Sequence, residues 1–213
     1  MRHILVLNAK GGSGKTTLAT TLASYLAAVE GKQVILADMD PQGSSLAWLA
    51  ARSSGRPQIK GVAAHKDPVH PGRNTDYVIV DSPAAVHGRD LATLLRKAET
   101  ILIPVLPSPI DMRAAAGFLE EVRANARVAA KQAKVALVAN RVREYTNIWQ
   151  ELEHFLDHVK GVPVLTHLRD SMNYIRAAER GLGIFELAPY ATQVDREQWG
   201  PVLKWLHSKR SQP

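Results

Sequence analysis

The chain has 213 residues, 46% of them apolar and 22% charged, with a formal net charge of +7. That size and apolar content suit one α/β domain with a sizeable core and argue against global disorder. The absence of cysteine excludes disulfides, iron–sulfur clusters and thiolate zinc sites; no stretch approaches the roughly 18 apolar residues of a spanning helix; and the surplus of Lys and Arg favours a polyanionic partner, nucleic acid or an anionic membrane face.

In chain order, short apolar runs alternate with helical stretches, the pattern of βαβ units and a mostly parallel sheet. Residues 3–7 read as a buried first strand. The run is too short for a signal peptide and leads straight into Lys10 and a glycine cluster, so a cytoplasmic protein is expected. Residues 16–29 read as an Ala- and Leu-rich helix ended by Gly31. Residues 34–37 are a second buried strand, and residues 44–51 a short helix with Ser44 as N-cap. Residues 52–75 hold Pro57, Pro68 and Pro71 and read as loop with a short strand at 59–62. Residues 77–80 are a strand ending at Asp81, and residues 101–105 another, followed by a bend at Pro104, Pro107 and Pro109. Then come a helix at 111–128, a strand at 135–139 ending at Asn140, a helix at 148–158, a strand at 162–166 and a helix at 171–180. A closing amphipathic helix covers 198–209, with Pro201 in its first turn. The expected fold is a single α/β domain over residues 1–213, a mostly parallel twisted sheet with helices on both faces. Asn8, Asp38, Asp81 and Asn140 end or follow strands, and in open α/β sheets ligands bind at the carboxyl ends of strands.

The strongest chemical signal follows the first strand: Lys10-Gly11-Gly12-Ser13-Gly14-Lys15-Thr16-Thr17, opening a helix. The usual phosphate loop is G-x-x-x-x-G-K-[ST]. Here Ala9 stands at the first glycine position, yet the physical logic is kept. Glycines let backbone N–H groups turn inward around phosphate oxygens, and the helix adds its N-terminal dipole. Lys15 can neutralise β- and γ-phosphates, and the Thr16 hydroxyl can ligate Mg²⁺. One helix and one strand later comes Asp38-Met39-Asp40-Pro41-Gln42-Gly43, two carboxylates two residues apart. Like charges that close are costly unless a cation lies between them.

The loop resembles the deviant Walker A loop of the ParA/MinD group of P-loop ATPases, whose mark is the extra lysine, here Lys10. The resemblance implies that Lys10 reaches across an ATP-dependent homodimer to the partner's phosphates, the task of an arginine finger. Asp38 to Gly43 is similar to the group's D-x-D-P-Q-G segment, which implies that Asp40 polarises the attacking water and Asp38 holds a Mg²⁺-bound water. Tyr77 to Asp81 looks like a Walker B strand, with Asp81 an outer-shell ligand and Ser82 to His87 a switch sensing the γ-phosphate. The stretch Ile103-Pro104-Val105-Leu106-Pro107-Ser108-Pro109-Ile110-Asp111 is similar to that of the small ParF-type partition ATPases, which implies nucleotide and dimer contacts near Pro107. Asn140 stands where the group places an adenine contact, and Arg169 and Arg176 where it carries DNA contacts. The functional expectation is an ATP/ADP- and Mg²⁺-dependent switch, nucleoid-associated through nonspecific DNA, with a ParB-like or cargo-adaptor partner stimulating hydrolysis. Two alternatives share the phosphate loop. One is a MinD-like membrane switch anchored by residues 202–210; the other is a metabolic synthetase, a class that generally lacks the signature lysine. The eight histidines show no metal-ligand pattern.

Overall fold

Seven short strands, joined by helical or loop crossovers, meet as one parallel sheet. The computed structural model describes residues 1–213. Strands β1 (Arg2–Val6), β2 (Val34–Asp38), β3 (Lys60–Val62), β4 (Tyr77–Asp81), β5 (Thr100–Val105), β6 (Lys134–Val142) and β7 (Val164–Arg169) lie in the order β3-β2-β4-β1-β5-β6-β7. Every pairing is parallel. Successive strand residues point to opposite faces, so Ile4 and Val6 enter one core of 22 buried residues and Leu5 and Leu7 a second of the same size. This is why the first strand is apolar without alternation.

Helices α1 (Lys15–Ala28), α2 (Ser44–Ala50) and α8 (Pro189–Leu206) cover the first face, with α7 (Met172–Ala178) at its rim. Helices α3 (Gly88–Leu95), α4 (Pro109–Ala124), α5 (Ala126–Ala129) and α6 (Asn147–Asp157) lie on the second. The expected α/β architecture, with helices on both faces, is the one observed.

Several boundaries differ, each for a local reason. Helix α3 was not expected; it buries only Leu91 and Leu95, too few apolar positions to declare a period. The proline bend is the start of α4: Pro109 takes a first-turn position and Ser108 Oγ accepts from the Asp111 N–H at 3.5 Å. Asn125, in extended conformation, breaks the expected 111–128 helix in two and caps α5. Ser44 is the first residue of α2 and not its cap; Gly43 holds the cap position at φ 68°. Strand β6 runs past Asn140 to Val142, with the register slipping between Ala139 and Val142.

The largest difference is α8, which begins at Pro189, so Pro201 lies in its interior. Lacking an N–H, Pro201 deprives the Glu197 carbonyl of its helical donor; the Thr166 hydroxyl donates to the neighbouring Gln198 carbonyl at 2.8 Å. The apolar side of this helix faces the core: Trp199, Val202, Trp205 and Leu206 are all buried. Its end is clamped by Arg2, which donates to the Leu206 carbonyl, to Ser211 O at 2.7 Å and to the Ser211 and Thr100 hydroxyls at 2.6 Å. A membrane anchor at 202–210 would have to withdraw this surface from the core, so the structure argues against that alternative. No helix is long and apolar enough to cross a membrane.

Replacing Arg2 by Ala removes charged hydrogen bonds that tie the first strand to the last helix. The expected cost is about 2–4 kcal/mol, read as a lower unfolding midpoint together with faster proteolysis after Leu206. An unchanged midpoint would deny Arg2 this role.

Candidate functional site

The phosphate loop is built by β1, α1 and two buried asparagines. Asn8, next to the end of β1, donates to Pro104 O at 2.6 Å and accepts from the Lys10 N–H at 3.0 Å, fixing where the loop leaves the sheet. Gly12 and Gly14 take left-handed backbone at φ 75° and 92°, which a side chain disfavours. At Gly14 space is also missing: a Cβ there would meet Asn140 Nδ2 at 2.0 Å. Asn140 donates to Ser13 O at 2.9 Å. One of its two amide N–H donors therefore braces the loop, and the second N–H and Oδ1 remain for the adenine contact that the sequence suggested. Ser13 is fully buried and its hydroxyl donates to Lys10 O at 3.2 Å, so it serves the loop by shaping it from inside.

Lys15 is buried and its ammonium donates to the Lys10 carbonyl at 3.0 Å. Burial lowers its pKa, opposed by the nearby Asp81 and Asp40 charges. Thr16 donates to Asp81 Oδ2 at 2.8 Å. The other carboxylate oxygen, Asp81 Oδ1, is buried with no hydrogen-bond partner, as is the hydroxyl of Ser45. Desolvation, reinforced by the Asp38 charge and opposed by Thr16, Lys15 and the neighbouring Ser45 hydroxyl, which lies close to the carboxylate without meeting hydrogen-bond geometry, raises the Asp81 pKa to about 7. A hard cation on oxygen ligands is what such a set suits: Mg²⁺ keeps several waters and takes one or two protein oxygens beside phosphates. Thr16 and Asp81 fit that demand. A protein-only cage of three or more ligating side chains is absent.

Asp38 has a task the sequence did not reveal. Fully buried, it accepts from the Asp40 N–H on Oδ1 at 3.0 Å and from the Ser45 and Leu46 N–H groups on Oδ2 at 3.0 and 3.2 Å. It caps α2, the work expected of Ser44, and sets the turn that presents Asp40. A carboxylate has about four acceptor positions, so a single one, on Oδ1, is left for a metal-bound water. Asp40 accepts from the Gln42 N–H at 2.9 Å and faces the pocket.

That pocket, about 630 Å³, is lined by Gly11, Gly12, Gly14, Lys15, Thr16 and Thr17, with Asp40 opposite and Asn140 to one side. Lys10 does not line it. Pro107 lies in an adjoining depression of about 410 Å³, which shares Arg141 and Asp170 with the pocket. Arg169 lines the pocket too, but its guanidinium is bound by the buried carboxylate of Asp195 at 2.7 and 3.0 Å. The pair makes Arg169 a brace in the pocket wall, with its side chain still 37% exposed. Arg176 is exposed and makes no ion pair. Sequence reading missed Ser45, Asp195 and Tyr174, which lines the pocket and whose hydroxyl accepts from the Trp199 Nε1–H at 3.0 Å. Nothing in their local pattern marks them, because each gains its place through packing between distant elements.

A model of the CobQ/CobB/MinD/ParA nucleotide binding domain matches residues 4–184. The chain is 33% identical to the maintenance of carboxysome distribution protein A of Halothiobacillus neapolitanus across 86% of this chain and 87% of that protein. It is 32% identical to the chromosome-partitioning ATPase Soj of Thermus thermophilus across 58% and 64% of the two. Among solved structures, an ATP complex of Cyanothece McdA shares the fold with a TM-score of 0.73 at 16% identity, over 95% of this chain and 96% of that one. The chain belongs to the CobQ/CobB/MinD/ParA family of nucleotide-binding domains.

The Asp81 pKa fixes a pH dependence. Because it is raised from 3.8 to about 7 in the fold, the folded state holds an extra proton between those values. Stability of the nucleotide-free chain therefore falls as pH rises through that window. Above it, Asp81→Asn removes a cost of about 2–4 kcal/mol. Thermal unfolding is expected to place the Asn variant above the parent at pH 8 and level with it near pH 4. A variant no more stable at pH 8 would refute the buried, uncompensated carboxylate.

Proposed function

We propose that this member of the family is an ATPase switch that dimerises on ATP, binds DNA without sequence preference, and positions or segregates cargo. The observation that carries the reading is the placement of Lys10. Its carbonyl accepts from Lys15 and Ser13, while its side chain is absent from the pocket of its own chain. A cation next to a phosphate loop but outside its own pocket suits a second chain's phosphates. Exposed apolar side chains at the mouth support the same dimer: Ile175 lines the pocket and Met172 shares its helix. The relatives named for carboxysome distribution and chromosome partitioning support positioning or segregation of cargo.

In this reading the backbone N–H groups from Gly11 to Thr17 cradle the phosphates, and the Lys15 ammonium leaves the Lys10 carbonyl for them. Thr16 and Asp81 would hold Mg²⁺, which when bound would neutralise charge on the phosphate oxygens. Asp40, pinned by its own turn, orients the attacking water, and Lys10 of the second chain meets charge that develops in the transition state. DNA is held through phosphates by exposed cations such as Arg176, so its affinity falls steeply with salt. A partner protein stimulates hydrolysis and resets the switch.

The test separates binding, dimerisation and turnover. Lys15→Ala is expected to lose ATP binding. Lys10→Ala should bind ATP but stay monomeric in light scattering, and Asp40→Ala should bind ATP, dimerise and remain on duplex DNA with turnover reduced at least about a hundredfold. A Lys10→Ala chain that still dimerises, or an Asp40→Ala chain that turns over normally, would overturn these roles. A metabolic synthetase would show fast turnover with a small acceptor and no response to DNA.

A further inference from the structure

We propose that a groove at the end of the sheet opposite the phosphate loop docks an acidic segment of a partner protein carrying an apolar anchor. The groove measures about 980 Å³ and is formed where β6 and β7 begin, with Lys134 and Val135 at its floor. Along β6 it lies six residues, about 20 Å, from the nucleotide pocket, counted from Lys134 to Asn140.

Five cations line it: Arg123, Lys131, Lys134, Lys204 and Arg210. Not one of its 17 lining residues is Asp or Glu. Arg123 is paired with Glu120 at 2.8 Å, outside the groove. The other four form no ion pair. Arg123 and Lys204 lie in the last turns of α4 and α8, where the dipole favours a cation, and Lys131 and Arg210 follow α5 and α8. The dipole does not explain why they converge from α4, the end of α5 and α8 on one concavity, together with Lys134 from β6.

The occupant follows from what lies between the charges. Val128, Val135, Val162, Leu165 and Trp205 give the groove an apolar floor, and Val164, 39% exposed on the edge strand, adds an apolar wall. A lone phosphate is much smaller than this volume, and a duplex backbone presents charge and sugar with nothing to fill a Val, Leu and Trp floor. An acidic polypeptide with one aliphatic or aromatic side chain matches both halves, carboxylates to the rim and the anchor to the floor. The site stands on this surface alone and does not depend on the ATPase reading, so it is tested without nucleotide.

The experiment pans a phage-displayed library of random short peptides on the full chain and measures binding of the enriched peptides by fluorescence anisotropy. They are expected to be rich in Asp and Glu around one Leu, Phe or Trp. Lys131→Glu with Lys204→Glu, both exposed positions, should weaken them at least about tenfold. Val164→Ser should weaken them severalfold while leaving the circular dichroism spectrum unchanged. A random-sequence DNA duplex should not displace them. The proposal is overturned if no peptide is enriched, if enriched peptides are neutral or bind the charge-reversed chain equally well, or if Val164→Ser has no effect. Loss of duplex binding in the charge-reversed chain, with duplex displacing the peptides, would assign the groove to nucleic acid instead.

Discussion

Asp81 ends β4 in register with Val6 of β1 on one side and with Asp38 of β2 on the other, and folding takes its carboxylate out of water. A buried carboxylate costs several kcal/mol unless charge and hydrogen bonds compensate. Lys15 and Thr16 compensate in part, and one oxygen still has no partner. Because β4 lies between β1 and β2, the two loops that carry the chemistry leave the sheet on either side of this charge. The phosphate loop follows β1, and the turn presenting Asp40 follows β2. The sheet order thus aims both loops at one carboxylate, and that carboxylate is the natural anchor for a divalent cation on the phosphates.

Much of this was legible because it is local. Apolar runs that carry no alternation mark strands buried on both faces, and Lys10 to Thr17 between strand and helix marks the phosphate loop whatever stands at position 9. What escaped is set by contacts between distant residues. Asp38 looks like a metal-side acid, but its neighbours in space are the N–H groups of Asp40, Ser45 and Leu46, so most of its acceptor capacity goes to capping. Asn140 looks like a base-reading amide, yet one of its two N–H donors is held by the Ser13 carbonyl across 127 positions of sequence. Arg169 looks like a surface cation until Asp195, 26 residues later, is found beneath it. In each case the side chain has the right chemistry for the expected role, and tertiary packing has engaged part or all of it.

The boundary errors have the same origin. Pro109 reads as a bend because proline fixes φ, but that φ is also the helical one, and Ser108 supplies the cap that turns a bend into a helix start. Pro201 reads as an early-turn residue because an interior proline costs a hydrogen bond. Helix α8 tolerates that loss because Trp199, Val202 and Trp205 are buried around it. Burial of those side chains outweighs one missing bond, a balance that depends on what the helix packs against and not on its own sequence.

Helix α8 also joins the two ends of the molecule. Its first half carries Asp195, which holds Arg169 in the wall of the nucleotide pocket, and Asn173 of α7 donates to the same carboxylate at 2.8 Å. Its second half carries Lys204 and Trp205, which line the basic groove. The segment after it is tied through Arg2 to the first strand, the strand that leads into the phosphate loop. A nucleotide that shifts Arg169 and a ligand seated in the groove would therefore both act on one packed helix. Coupling between them requires that α8 take different positions in two states of the chain, since a ligand shifts an equilibrium only by its differential affinity for the two. The Arg169–Asp195 pair is where such a difference would enter, because Asp195 is fully buried and withdrawing the Arg169 guanidinium would leave that carboxylate short of its cation.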